Sequence, residues 1–306
     1  MWSLDDIRLI FDPRKSQSLN EMHAELIKAI LEIRERLAQL RKSDKTVGLV
    51  PTMGALHKGH TKLIERARDE CKTVVVSIFV NPMQFNQEVD FKAYPRVLDS
   101  DLETCTKLGV DLVFAPKEIE MYPSPQLCTI DIAKITSHLC GAYRPGHFRG
   151  VATVVMKLFQ IIQPDRAYFG EKDAQQTTVI RNLVNNFNIP IEIIEVPTVR
   201  EPDGLAISSR NLLLDSTERQ LAAVLYQALC KAQQMIAAGD TSALTVRQAA
   251  TSCVPEDIRL RLEYLEIVDP VDMQPVENIS GVVRIVGALW MGSTRLIDNV
   301  LCIPGD

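Results

Sequence analysis

Short apolar runs alternate with helical patterns over the first two thirds of the chain, and this alternation restricts the fold more than any other feature. Residues 46–51 (TVGLVP) and 73–80 (TVVVSIFV) flank residues 58–70 (KGHTKLIERARDE), where the charges gather on one side of a helical repeat. The succession continues with a helix near 96–109, a strand at 110–116, a helix near 150–163, a strand at 167–169, a helix near 173–187 and a strand at 191–199. Strands that are apolar throughout have both faces buried, and parallel neighbours need a crossover long enough to hold a helix. The series therefore predicts an α/β domain with a parallel sheet covered on both faces. Ahead of it, residues 18–40 repeat apolar side chains at Leu19, Met22, Leu26, Ile30, Leu37 and Leu40, with capping-box spacing between Ser18 and Glu21. One amphipathic helix is expected there.

Beyond residue 199 the order changes. A long helix near 216–239 and a second near 245–253 precede strand-like runs at 260–268 and 282–291. Helices followed by late strands suggest a smaller C-terminal α+β domain, with the boundary in the proline- and glycine-containing stretch 197–204. The expected division is 1–198 and 199–306, with the last four residues, 303–306, fraying. A chain of 306 residues that is 46% hydrophobic can bury two such cores. Its 34 lysines and arginines are scattered among 39 acids, for a net charge of −5, which argues against nucleic acid as the principal partner. Seven cysteines, an odd number with no CxxC pair, fit reduced thiols in a cytoplasmic protein, and no apolar run has the length to span a bilayer.

Ligands of parallel sheets bind beyond the carboxyl ends of the strands, where helix N-termini aim free N–H groups outward. Five clusters fall at such places. PTMGALHKGH, residues 51–60, puts His57 and His60 three apart at a helix start, beside Gly54 and Gly59, an arrangement suited to a triphosphate. FVNPMQF, residues 79–85, offers Asn81 and Gln84, neutral amides that can hold hydroxyls or a carboxylate. YRPGHFRGV, residues 143–151, groups Arg144, His147 and Arg149 as an anion clamp. YFGEKDAQQ, residues 168–176, carries Lys172 for phosphates, Asp173 for ribose hydroxyls and Gln176 on the next helix face. GLAISSRNLLL, residues 204–214, presents Ser208, Ser209 and Arg210 as a phosphate grip near the boundary. Each alone also reads as a turn or a solvated helix end; five together at strand ends do not share that explanation.

These strings resemble the pantoate–β-alanine ligase (pantothenate synthetase) family. HKGH is similar to the HxGH signature of the nucleotidylyltransferase superfamily, and the longer strings PTMGALHxGH, FVNPMQF, RPGHFRGV, GEKDxQQ and DGLAxSSRN all stand here in order. The resemblance implies a Rossmann-like catalytic domain, a homodimer, ATP and Mg2+, and the substrates pantoate and β-alanine, joined through a pantoyl adenylate. It implies an ATP site over Met53, Gly54, Ala55, Leu56, His57, Lys58, Gly59 and His60, continuing through Gly170, Glu171, Lys172 and Asp173. Val199 and Ile207 would lie near adenine, with Ser208, Ser209 and Arg210 on the phosphates. His60, His57, Lys172 and Arg210 would carry the chemistry. Gln84 and Gln176 would bind pantoate, supported by Asn81 and Tyr94, and Asp101 is a candidate magnesium contact. The rival reading is another HxGH-type transferase acting on a small cofactor precursor, which would need a phosphate-accepting pocket where the two glutamines stand. A non-catalytic nucleotide-binding module would lack turnover.

Overall fold

A computed structural model describes residues 23–43 and 45–305. Its larger sheet contains β1 (Glu25–Ile27), β2 (Val47–Thr52), β3 (Thr73–Ile78), β4 (Leu112–Phe114), β5 (Arg166–Gly170) and β6 (Glu192–Val196), in the order β1-β4-β3-β2-β5-β6. All its pairings are parallel, and the order reverses direction between β2 and β5. Strand pleating divides the core in two, because alternate side chains face opposite sides. Leu49 and Val75 point to one cluster with Val151, Leu158 and Phe159 of the helix His147–Ile162. Val50, Val74 and Val76 point to the other with Leu63, Ile64 and Ala67 of the helix Lys58–Glu70.

The second sheet is antiparallel and consists of β7 (Leu260–Val268), β8 (Val283–Met291) and β9 (Thr294–Cys302), with β8 in the middle. Helices Val224–Ala237 and Ala243–Thr251 cover one face, where Leu229, Ala232 and Val246 meet Leu265, Ile267 and Ile285. From the same sheet, Val268 and Val286 pack into the first core beside Phe148 and Val151. The two sheets thus share buried apolar surface at the edge where the functional clusters gather.

Three elements depart from the sequence-based expectation. The first helix begins only at Ile30 and runs to Arg41, because Glu25–Ile27 extends as an edge strand whose Ile27 pairs with Phe114. A three-residue strand leaves no period to read, and its pairing partner is far along the chain. Ser18, Leu19, Glu21 and Met22 lie outside the described residues. The helix expected over 216–239 is two, Ser216–Leu221 and Val224–Ala237. Strand β9 was not anticipated, since Arg295, Asp298 and Asn299 interrupt its apolar residues and each finds its partner only in the fold. Among the described residues, no helix is long and apolar enough to cross a membrane.

Candidate active site

The loop after β2 turns sharply. Gly54 and Ala55 both have positive φ, at 80° and 51°, a conformation costly for alanine unless its surroundings impose it. Asp101, from the helix Leu98–Lys107, does so: its Oδ2 accepts from the Ala55 N–H at 2.9 Å and its Oδ1 from the Leu56 N–H at 2.8 Å. A Cβ on Gly54 would sit 2.8 Å from the same carboxylate, so the close approach requires glycine. Burial pushes the Asp101 carboxyl up, opposed by these two backbone bonds. Asp101 was expected as a magnesium contact; in the structure each of its oxygens accepts a backbone N–H and anchors the loop.

Beyond the turn, His57 caps the helix Lys58–Glu70 and His60 closes the reciprocal bond. The Gly59 N–H donates to His57 Nδ1 at 3.1 Å, and the His57 N–H donates to His60 Nδ1 at 3.3 Å. The rings lie 4.0 Å apart between centroids. With Nδ1 accepting in both, the neutral rings carry hydrogen on Nε2. Burial, then the charge of Lys172, lowers His57 to about 4; burial, then His57, lowers His60 to about 3. At neutral pH the pair supplies two uncharged N–H donors. Met53, His57 and His60 line the main cavity, and Gly59 joins the two histidines in the adjoining groove. Ala55, Leu56 and Lys58 line neither: the first two are held back by Asp101, and Lys58 is exposed.

β3 runs out into a turn, Pro82–Gln84, capped by the Asn81 side chain. Asn81 is 1% exposed and fully engaged: its amide donates to Gln84 Oε1 and to the Gly150 carbonyl, while its Oδ1 accepts from the Met83 N–H and from Tyr122 OH at 2.8 Å. It was expected as a substrate contact, but it lies behind the wall and positions Gln84, which does line the cavity. Gly150 lets the helix His147–Ile162 press against this turn, where a Cβ would be 2.3 Å from the Met83 oxygen. At the start of that helix the expected anion clamp divides. Arg144 and His147 face the cavity, whereas Arg149 points outward to Asp131 at 3.2 Å. The His147 Nδ1–H donates to the Gln84 carbonyl at 2.8 Å, and burial, reinforced by Arg144, lowers the ring to about 3.

At the end of β5 the short turn Glu171–Asp173 sends Lys172 and Asp173 into both the cavity and the groove, with Gln176 beside them. Glu171 faces the other way, toward Arg284 of β8 at 3.4 Å and the Thr198 N–H. The turn is held from the second sheet by Asn299 of β9, whose amide donates to the carbonyls of Glu171 and Lys172 at 2.9 and 3.0 Å. Gly170, Val199 and Ile207 line the groove, which the Ile207 N–H closes on the Val199 carbonyl. Ser208, Ser209, Arg210 and Tyr94 line the cavity; Ser208 caps Arg210, and Arg210 faces Asp90 at 3.6 Å. The second sheet contributes Tyr264, Arg295, Asp298 and Asn299, none of which sequence reasoning singled out. The one available signal was the polar residues spaced through 294–302.

A parallel sheet with an HxGH histidine pair capping the helix after its central strand, and a groove and a cavity meeting at a lysine, define an ATP-binding enzyme of the HxGH class. The chain belongs to the pantoate–β-alanine ligase family, whose model, described as Pantoate-beta-alanine ligase, matches residues 25–301. It is 48% identical to a pantothenate synthetase of Moorella thermoacetica over 92% of this chain and 100% of that one, and 46% identical to one of Thermotoga petrophila over 90% and 99%. The crystal structure of pantothenate synthetase from Thermus thermophilus superimposes with a TM-score of 0.85 at 42% identity, over 90% of this chain and 98% of that one. That of the Francisella tularensis ligase complexed with beta-gamma ATP and beta-alanine gives 0.75 at 38%, over 91% and 97%.

Proposed function

We propose that this protein condenses pantoate with β-alanine at the expense of ATP through a pantoyl adenylate. The observation that carries the reading is the meeting of two kinds of group in one cavity. Donors and cations for phosphate, His57, His60, Lys172 and Arg210, line it together with the neutral amides Gln84 and Gln176. The groove between Gly59, Gly170, Val199 and Ile207 suits adenine and ribose, with Asp173 placed to accept ribose hydroxyl hydrogen bonds.

In the first step a carboxylate oxygen of pantoate attacks the α-phosphorus. The new phosphorus–oxygen bond forms as the bond to the β-phosphate bridging oxygen breaks, and pyrophosphate leaves with the electron pair. Charge gathers on the departing phosphates, where Lys172, Arg210 and the two neutral Nε2–H groups stabilise it in a partly buried setting. Amides hold the attacking carboxylate without tying it into a bidentate ion pair. In the second step the amine of β-alanine, having lost its ammonium proton, attacks the acyl carbon. The carbon–nitrogen bond forms, the acyl carbon–oxygen bond breaks, AMP leaves, and the nitrogen's extra proton passes to water.

No group of three or more histidine, cysteine, aspartate or glutamate side chains that could hold a metal ion occurs among the described residues. Magnesium therefore fits this chain as an ion carried in on the triphosphate, coordinated mainly by phosphate oxygens and water, with Asp173 a carboxylate that lines both the cavity and the groove. When bound it neutralises phosphate charge; the residues above orient the reactants. A cytoplasmic homodimer, with the C-terminal domain beyond residue 198 closing over the intermediate, completes the proposal. The test is to supply the purified protein with ATP, magnesium and pantoate and to measure pyrophosphate, then to add β-alanine and measure AMP and pantothenate. The reading expects the two releases in that order; pyrophosphate with no dependence on pantoate would overturn it.

A further inference from the structure

A glutamine side chain has nearly the same shape whichever way its amide is turned, so packing alone does not decide whether Gln84 offers the cavity a donor or an acceptor. Its partners do. Behind it, Asn81 is bonded to two backbone groups whose roles are fixed. The Gly150 carbonyl, which can only accept, lies 3.1 Å from Asn81 Nδ2, and the Met83 N–H, which can only donate, lies 3.3 Å from Asn81 Oδ1. The second hydrogen of Nδ2 is then free for Gln84, and the atom it meets at 3.2 Å is Oε1. Gln84 is left with Nε2 on the other side, 3.0 Å from the sulfur of Met53, which lines the same cavity. A thioether is a weak acceptor, so this N–H end gains by exchanging it for an anionic oxygen.

The Gln84 backbone is pinned as well, since its carbonyl accepts from the His147 Nδ1–H at 2.8 Å and from Arg144 Nη2 at 3.3 Å. The softer link is Asn81 Oδ1, whose bond to the Met83 N–H is long. Tyr122 supplies the short one: its hydroxyl donates to that oxygen at 2.8 Å. Tyr122 follows the helix Glu118–Met121, and its ring packs on the first core, 6.0 Å between centroids from Phe79. Burial, then the charge of Glu118, pushes the phenol's pKa up, so the hydroxyl keeps its proton and stays a donor. Tyr122 lines neither the cavity nor the groove.

On the proposed ligase reading, on which this inference rests, the group that meets Gln84 is the pantoate carboxylate. We propose that Tyr122, without touching a substrate, is a positioning residue for the acid: through Asn81 it holds the Gln84 amide with its N–H end toward the carboxylate. The relay makes this point of the wall a donor, and so favours an anionic oxygen over any group that itself needs an acceptor.

The test is a split in the kinetics of pyrophosphate release. Tyr122→Phe keeps the ring against Phe79 and removes one hydrogen bond, so the apparent KM for pantoate rises about fivefold while kcat and the KM for ATP change by less than about twofold. At Gln84 the polarity itself is read. Gln84→Glu sets an oxygen where the nitrogen stands and lowers kcat/KM for pantoate on the order of 100-fold, below Gln84→Met, which brings no charge. In the unsubstituted protein, isotope-labelled at its glutamine side-chain nitrogens, pantoate shifts the Gln84 amide protons downfield in magnetic resonance, a result that needs no variant to fold. Pyrophosphate release indifferent to pantoate in the unsubstituted protein would overturn the ligase reading, and the role of Tyr122 with it. Where release does depend on pantoate, equal losses for pantoate and ATP in Tyr122→Phe, Gln84→Glu outperforming Gln84→Met, or an unmoved Gln84 amide resonance would each overturn the role of Tyr122 alone.

Discussion

Asn299 gives the most direct test of how the second sheet governs the site. Its side chain is 4% exposed and spans the two sheets, donating to the Glu171 and Lys172 carbonyls at 2.9 and 3.0 Å and accepting from Arg284 Nη1. Asn299→Ala removes three hydrogen bonds and leaves two carbonyls without donors, at about 1 kcal/mol net for each bond, so about 3 kcal/mol in all. For a chain of this size that lowers Tm by about 6–10 °C. The turn Glu171–Asp173 also loses its restraint, and displacement of Lys172 by about 1 Å lowers the rate of pyrophosphate release on the order of 100-fold. Thermal unfolding followed by circular dichroism, with single-turnover pyrophosphate release, measures both. The control is Asn299→Asp, which keeps the volume and the Arg284 contact but turns an acceptor toward the two carbonyls. If the donors matter, Asp is no better than Ala at fixing Lys172; recovery of both stability and rate by Asp would refute the reasoning and reduce Asn299 to a space-filler.

Two further expectations follow from the site. His57, His60 and His147 have folded pKa values of about 4, 3 and 3 against 6.5, so between these limits the unfolded chain binds more protons. Stability supplied by the neutral rings is complete above about pH 6.5 and is lost as pH falls toward 3–4; urea midpoints measured across this range should decline, and less steeply in His57→Gln. Gly150→Ala places a methyl 2.3 Å from the Met83 oxygen and 2.7 Å from the Gln84 nitrogen. That overpacking costs about 1–3 kcal/mol and moves Gln84, so the KM for pantoate should rise more than that for ATP; unchanged pantoate kinetics would show that the helix and turn do not set Gln84.

Much of the parallel sheet could be read along the chain because its strands are apolar throughout and its helices amphipathic, properties that local composition records. β2, β3 and the helix Lys58–Glu70 fall where the pattern places them. The site residues were legible as types at strand ends, but a side chain's direction was not. Within Glu171–Asp173 the spacing gives no means to tell Lys172, which enters the cavity, from Glu171, which turns to Arg284. Within residues 143–151 it does not separate Arg144 from Arg149.

Local sequence specified the succession of strands and helices, the placing of functional clusters at carboxyl edges, and the histidine pair, since each depends on residues within a few positions of one another. It took the folded chain to establish that Asp101 anchors a loop, that Asn81 stands behind Gln84, and that Asn299 of the last strand holds the Lys172 turn. These roles are hydrogen bonds between residues three to well over a hundred positions apart, and neither spacing nor composition fixes which acceptor a buried polar side chain will meet. Only folding, by withdrawing water from those groups, makes the partners obligatory.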